Sequence, residues 1–232
     1  MKENGLVIAI DGPAASGKST TARLVANELG YTYIDTGAMY RAVTLAAVRA
    51  GIDPDDQSAI ELLASTLDVR IKPAGDGLLH TYLGDEEISK EIRSPRVNEH
   101  VSQISAYPGV RKAMVALQMD MGRNGGVVLD GRDIGTVVFP DADVKIFMFA
   151  DISARAQRRQ VDLDRSGSAM EVDTVAHDLS ARDEYDSSRA ISPMRAADDA
   201  IQIDTSDLTI DQQVEQVLHL VDEKMAELGV RR

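Results

Sequence analysis

The chain has no cysteine among its 232 residues, so it holds no disulfide framework and offers no thiolate chemistry. It also lacks a long apolar run. Its first residues lead only into Leu6-Val7-Ile8-Ala9-Ile10, which reads as neither a secretory signal nor a membrane span, and the default address is cytoplasmic. The four histidines, His80, His100, His177 and His219, fall at no metal-ligand spacing. Positive charge is short. Lys and Arg number 25 against 38 Asp and Glu, a formal net charge of −13, which argues against binding to nucleic acid or to an anionic membrane. No internal repeat or low-complexity tract is visible, and no Ser/His/Asp triad can be assembled. The N-K-x-D base-reading motif of GTP switches is absent. Lysine is missing between Ile146 and Glu223, where seven arginines stand instead: Arg155, Arg158, Arg159, Arg165, Arg182, Arg189 and Arg195. The planar fork of arginine suits phosphate oxygens better than the point charge of lysine. A general preference for arginine is the plainer explanation, and Arg41, Arg111 and Arg132 are consistent with it.

What is present suits an ordinary globular chain, with 44% hydrophobic and 27% charged residues. Its length suggests one domain over 1–232, with insertions. Short apolar runs alternate with helical patterns, the signature of βα units around a parallel sheet. Strands are predicted over Leu6–Ile10, Tyr31–Asp35, Val127–Asp130, Val144–Ala150 and Ala200–Asp204. Helices are predicted over Lys18–Leu29, Ala38–Ala50, Ile152–Leu163, Val172–Tyr185 and Ile210–Leu228. The stretch from Asp68 to Leu83 breaks the alternation and reads as two antiparallel strands around a turn at Pro73-Ala74-Gly75-Asp76-Gly77. Helical patterns follow from Pro95 to Met121, interrupted at Tyr107-Pro108-Gly109. Residues 60–105 are therefore read as an inserted subdomain over the second substrate, a passive or oligomerising excursion being the alternative.

The most informative motif is Gly12-Pro13-Ala14-Ala15-Ser16-Gly17-Lys18-Ser19, a G-x-x-x-x-G-K-S phosphate loop between a strand and a helix. Glycines let successive N–H groups face one anion, and the helix that follows turns its positive end to the same place. The ATP-binding residues run from Gly12, Pro13, Ala14, Ala15, Ser16 and Gly17 to Lys18, Ser19 and Thr20, with Lys18 near the β- and γ-phosphates and the Ser19 hydroxyl a ligand for Mg²⁺. Asp130, closing the third strand, is a second candidate for the metal.

Other charged clusters surround this loop in sequence. Asp35 and Thr36 end the second strand, where either is a binding group or a simple helix cap, and Arg41 follows on the next helix. Arg132 and Asp133 form either a ligand-reading pair or a surface ion pair. Arg155, Arg158 and Arg159 share a helical face, as the arginines of a lid over 155–175 or as a solvated stripe, and the stretch from Val161 to Asp173 looks loop-like enough to bend. Arg182, Asp186 and Arg189 also share a face, as ribose and phosphate binders or as an intrahelical ladder.

Such a supply of cations suits a phosphate acceptor better than an alcohol. An alcohol needs a base beside it, whereas a monophosphate oxygen is already anionic at neutral pH. Its difficulty is repulsion, about 4 kcal/mol for each pair of unit charges at ~4 Å and an effective dielectric of ~20. Catalysis then rests on alignment and neutralisation.

Along nearly its whole length the chain resembles the bacterial cytidylate kinases. The resemblance is carried by Ile10-Asp11-Gly12-Pro13, by Asp35-Thr36-Gly37-Ala38-Met39-Tyr40-Arg41 and by the long block from Asp130 to Ala142. Arg158-Arg159, Arg182-Asp183 and Asp186-Ser187-Ser188-Arg189-Ala190 add to it. It implies an α/β P-loop NTPase fold in three layers, with a five-stranded parallel sheet, a CMP-covering insert and a short lid. It also implies transfer of phosphate from ATP, with Mg²⁺, to CMP or dCMP. By the same resemblance Thr36 and Tyr40 lie in the CMP segment, and Arg41 and Arg132 bind its phosphate. Asp133, Ser102 and Arg111 read cytosine, Arg182 and Asp186 hold ribose, and Arg189 bridges. Lys18, Arg132, Arg158 and Arg159 are the catalytic set. A monomer is expected. The alternatives are a P-loop kinase for another small acceptor and a nucleotide-dependent switch.

Overall fold

The computed structural model describes residues 4–73, 79–165 and 170–229. The chain divides into two compact units, one built from the chain up to Tyr33 and from Asn124 onward, the other from Ile34–Arg123. The second unit is wider than the 60–105 stretch read as an insert.

In the first unit the chain forms β1 (Val7–Asp11) and α1 (Lys18–Leu29), then enters β2 (Thr32–Asp35), whose last residues begin the second unit. It returns as β6 (Val127–Gly131) and β7 (Val144–Phe149), followed by α6 (Ile152–Arg165) and α7 (Val172–Ser188), and closes with β8 (Ile201–Asp204) and α8 (Ile210–Glu227). The sheet order is β2-β6-β1-β7-β8, with β1 parallel to both β6 and β7, and β7 parallel to β8. This is the α/β architecture that the alternation of apolar runs and helical patterns led us to expect. Every residue of β1 is buried, as a central strand covered on both faces requires. Ile8, Ile10, Val128, Ile146 and Met148 pack with Val25 of α1 and with Val217 and Val221 of α8 in one core. α8 begins at a capping box in which the Gln212 N–H donates to Thr209 Oγ1 and the Thr209 N–H donates to Gln212 Oε1.

The block after β6 has a form the sequence did not disclose. Residues Ile134–Val138 make one wide π-turn, closed by bonds from the Val138 N–H to the Asp133 carbonyl (3.3 Å) and from the Phe139 N–H to the Ile134 carbonyl (2.7 Å).

The second unit holds α2 (Thr36–Arg49), α3 (Gln57–Thr66), the strands β3 (Val69–Pro73), β4 (Leu79–Leu83) and β5 (Glu86–Glu87), a 3₁₀ turn at Glu91–Arg93, α4 (Pro95–Ile104) and α5 (Pro108–Gly122). Its small antiparallel sheet runs β3-β4-β5, so the two expected strands acquire a short third. Residues 74–77 of the expected turn lie outside the described residues. Pro95 and Pro108 stand in the first turns of α4 and α5, where a missing N–H costs nothing, and this explains the break at Tyr107-Pro108-Gly109. Arg49, in the last turn of α2, donates to both Glu86 and Glu91, tying three elements at the surface.

Two expectations need correction. α2 starts at Thr36, not Ala38, because the Asp35 carboxylate caps it by accepting the Ala38 N–H at 2.9 Å; Thr36 is inside the helix and is not its cap. α6 continues to Arg165 through residues read as loop-like, because Leu163 reaches the apolar cluster of Ala156, Val175 and Leu179, and this anchoring outweighs Asp162 and Asp164. Residues 166–169 of the expected lid lie outside the described residues.

Candidate active site

The loop from Gly12 to Gly17 owes its shape to the end of β1. Gly12 has φ 148°, and a Cβ there would stand 1.9 Å from the Met148 carbonyl oxygen, so no side chain fits. Gly17 has φ 95° and is pressed by Gln213 Oε1, 2.5 Å from where a Cβ would lie. Ala15 takes φ 60°, the left-handed region that L-residues avoid. α1 then opens with no side-chain cap and no acidic residue in its first turn, leaving its positive end to an anion. Lys18 is buried and its Nζ donates to the Pro13 carbonyl across the loop at 3.1 Å. Ser16 Oγ is buried with no hydrogen-bond partner.

The loop is braced from behind by distant residues. Thr205 Oγ1 donates to the Ser16 carbonyl (2.8 Å), and Arg155 Nη1 to the Ala14 carbonyl (3.4 Å). Thr21 Oγ1 donates to Gln213 Oε1 (2.9 Å), while Gln213 Nε2 donates to the Leu208 carbonyl (3.1 Å). Ala14 and Ala15 pack on the cluster between α6 and α7. Arg155 also pairs with Asp183, so it is spent inside the protein. Arg158 donates to the Thr205 carbonyl at 2.5 Å and the Ser206 carbonyl at 3.3 Å, which supports the end of β8.

At the head of α1, Ser19 Oγ donates to Asp130 Oδ2 at 2.5 Å, and the Tyr33 hydroxyl donates to Asp130 Oδ1 at 2.7 Å. Register explains the meeting. Ile10 lies opposite Asp130 and Asp11 opposite Gly131, so β1 and β6 end together.

Beyond β6 the chain gathers guanidinium groups. Arg132 Nη1 donates to the Gly12 carbonyl and Arg132 Nε to Asp186 Oδ2, both at 2.8 Å. Arg189 stands 3.8 Å from Asp186 Oδ1. Burial alone would raise the Asp186 carboxyl, but Arg132 and Arg189 hold it below the usual carboxylate range. Arg182 is pushed down to about 10, first by burial and then by the charge of Arg132, with Arg159 adding to it. Its Nε is buried without a hydrogen-bond partner. Arg132, Arg159, Arg182 and Arg189 thus crowd near Asp183 and Asp186, with Arg155 already paired to Asp183, an arrangement suited to a polyanion. Asp186 takes Arg132 from another element, which is more than an intrahelical ladder. Asp133 is buried beside this cluster in sequence and is not half of a surface pair.

In the second unit, Tyr40 and Arg111 meet. The Arg111 guanidinium lies 5.4 Å from the centre of the Tyr40 ring and donates to the Ser105 carbonyl at 3.3 Å. Arg41 donates to Asn98 Oδ1 at 2.5 Å and to the Ile92 carbonyl at 3.2 Å. Ser102, half-buried, follows Asn98 by one turn of α4. Thr36 is buried one turn before Tyr40 on α2. Asp35 pairs with Arg93 at 3.0 Å.

The sequence reading gave no role to Asp11, which it quoted only in the motif before the phosphate loop, nor to Tyr33, Asn98, Thr205 and Gln213. Asp11 had a usable signal, a carboxylate closing an apolar central strand. The other four had none, because each acts through a partner remote in sequence.

These arrangements can be set beside known proteins. The family model described as cytidylate kinase matches residues 8–223. A cytidylate kinase of Acholeplasma laidlawii is 46% identical over 217 residues, covering 94% of this chain and 95% of its own length. Those of Bacillus licheniformis and Lactobacillus johnsonii are 45% and 46% identical, covering 96% and 97% of this chain and 98% and 99% of their own. Among solved structures, a shikimate kinase from Bacteroides thetaiotaomicron superposes with a TM-score of 0.50 at 12% identity, covering 94% of this chain and 98% of its own, a likeness of fold alone. With a phosphate loop braced as described and a family match running through both units, the chain belongs to the cytidylate kinase family.

Proposed function

We propose that the chain is a nucleoside monophosphate kinase that carries the γ-phosphoryl group of ATP to CMP or dCMP, giving ADP and the diphosphate. The observation that carries this reading is the position of Arg132. One guanidinium donates to the Gly12 carbonyl of the phosphate loop and to Asp186 within the arginine cluster. Donor loop and acceptor cations are therefore one connected structure. The cytidylate kinase relatives supply the acceptor.

The chemistry follows from charge. An oxygen of the acceptor phosphate forms a bond to the γ-phosphorus while the bond to the β-phosphate oxygen breaks, and ADP leaves. That oxygen needs no base, so the protein's work is to align two polyanions and neutralise them. Gly12 to Thr20 cradle ATP, with Lys18 turning from the Pro13 carbonyl to the β- and γ-phosphates. Arg132, Arg158 and Arg159 are assigned to charge developing in transfer. For Arg158 this means leaving the Thr205 carbonyl. Ser19 and Asp130 fit Mg²⁺, since a hydroxyl and a carboxylate oxygen stand 2.5 Å apart beside the loop. No group of three or more His, Asp or Glu forms a metal cage among the described residues, which suits an ion carried largely by substrate phosphates. Held there with ATP, the ion supplies charge neutralisation at the β- and γ-phosphates.

Arg41 and Arg132 are assigned to the acceptor phosphate, Arg182 and Asp186 to its ribose, and Arg189 to a bridge between phosphate and base. Asp133, Ser102 and Arg111 are assigned to cytosine, with Thr36 and Tyr40 in the same segment. A carboxylate accepts from the exocyclic amine of cytosine and repels the carbonyl that uracil presents there. No helix among the described residues is long and apolar enough to cross a membrane; a cytoplasmic place of work is part of the proposed reading.

A coupled ADP-release assay over CMP, dCMP, UMP, AMP, GMP and shikimate tests the reading. CMP and dCMP should lead. A clear preference for UMP, AMP or shikimate overturns it.

A further inference from the structure

Asp11 does something that neither the phosphate-loop motif nor the acceptor assignments require. It is the last residue of β1, and its side chain is buried. Its two oxygens accept two consecutive backbone amides of another segment, Oδ1 from the Ile134 N–H and Oδ2 from the Gly135 N–H, both at 2.8 Å. The next residue, Gly12, accepts from Arg132 Nη1 at the same distance. Three hydrogen bonds thus clamp residues 132–135 to the start of the phosphate loop. The clamp follows from register, since Asp11 lies opposite Gly131 and the chain turns directly over it on leaving β6.

A carboxylate in this place is costly. Burial pushes the Asp11 carboxyl up to about 7, and neighbouring Asp133 adds to the push, against the two amides and Lys18. An apolar residue would avoid that cost but would leave two amides without acceptors at the head of the π-turn. What the carboxylate gains is a fixed, two-point orientation of the turn that carries Asp133.

We propose that Asp11 is a positioning residue for acceptor recognition, holding Arg132 and Asp133 in their places through the amides of Ile134 and Gly135. This rests on the reading of Asp133 as the cytosine reader. Asp11 touches no substrate and acts only through the segment it grips.

The test is the ratio of kcat/KM for CMP to that for UMP. A ratio between two acceptors does not depend on how much of the sample is active, so partial loss of folding leaves it unchanged. Asp11→Asn keeps the shape but sets an NH₂ group against an amide N–H. The CMP-to-UMP ratio should fall about tenfold or more, and KM for CMP should rise, while KM for ATP stays within about twofold. Asp11→Ser, with a single short acceptor, carries the same test should the Asn variant not fold. Asp133→Ala should also lose the ratio, and the pair Asp11→Asn with Asp133→Ala should lose no more than Asp133→Ala alone, because both act at one point. If Asp133→Ala keeps the ratio, the cytosine reading itself fails. If Asp133→Ala loses it while Asp11→Asn and Asp11→Ser keep it, the positioning role alone is overturned. Equal rises in both KM values with an unchanged ratio would mean that Asp11 merely supports the fold, and would likewise overturn it.

Discussion

Ala15 holds a backbone conformation that costs an L-residue about 1–2 kcal/mol, at φ 60° within the phosphate loop. Glycine would remove that strain and return part of the gain as chain entropy. Ala15→Gly should therefore leave the thermal midpoint unchanged or raise it slightly, and a scanning melt that shows a fall of several degrees would contradict this. Asp11 presents the opposite case, a residue whose charge is costly in place. Its folded carboxyl sits near 7 against an ordinary value of 3.8, so between those values the native state holds more protons than the unfolded one. By linkage this contribution to stability is full at low pH and is lost as pH rises toward 7, up to about 4 kcal/mol at 1.36 kcal/mol per pH unit. Asp11→Asn has no such slope. Urea melts from pH 4 to 7 should show the difference between variant and wild type moving in favour of the variant as pH rises. The phosphate loop was legible because its residues are contiguous. For Asp11 only the carboxylate at the end of an apolar strand could be read; its task could not, because the amides it grips lie more than a hundred positions away, and only strand register reveals that they meet.

At the scale of elements, legibility follows how local the determining contacts are. α8 could be placed to within a residue because Thr209 and Gln212 cap it reciprocally and an apolar stripe runs its length. The β3–β4 pair was legible from alternation and turn chemistry. α6 runs two residues past its predicted end, and the contact that holds its last turn, Leu163 against α7, is tertiary. α8 also has a duty that its own pattern hides. Gln213 is fully buried, accepts from Thr21 and crowds Gly17. Gln213→Leu would remove both its bonds, at a cost of about 1–3 kcal/mol for the buried Thr21 hydroxyl and less for the half-buried Leu208 carbonyl. The expected result is a midpoint several degrees lower and a KM for ATP that rises more than that for CMP. Steady-state kinetics on the purified variant would show this directly.

Over the whole molecule the composition misleads in one respect. A net charge of −13 suggests a protein that repels nucleotides, yet Arg132, Arg159, Arg182 and Arg189 gather where Asp183 and Asp186 can hold them. The sign of the total says little about the sign at one place. The missing lysines between Ile146 and Glu223 pointed toward this, but only folding shows that Arg155 and Arg158 serve the protein's own carbonyls while Arg182 faces other arginines.

The braces behind the phosphate loop bear on how the protein is made. Thr205 reaches Ser16 across 189 positions and Gln213 reaches Thr21 across 192, so a loop emerging early from the ribosome must wait for partners translated late. Closures of that span are slow, because chain entropy is lost before any contact repays it. Nascent chains arrested with α8 still inside the exit tunnel should not retain a fluorescent ATP analogue, and those extended past α8 should, which makes nucleotide capture a marker for the emergence of α8.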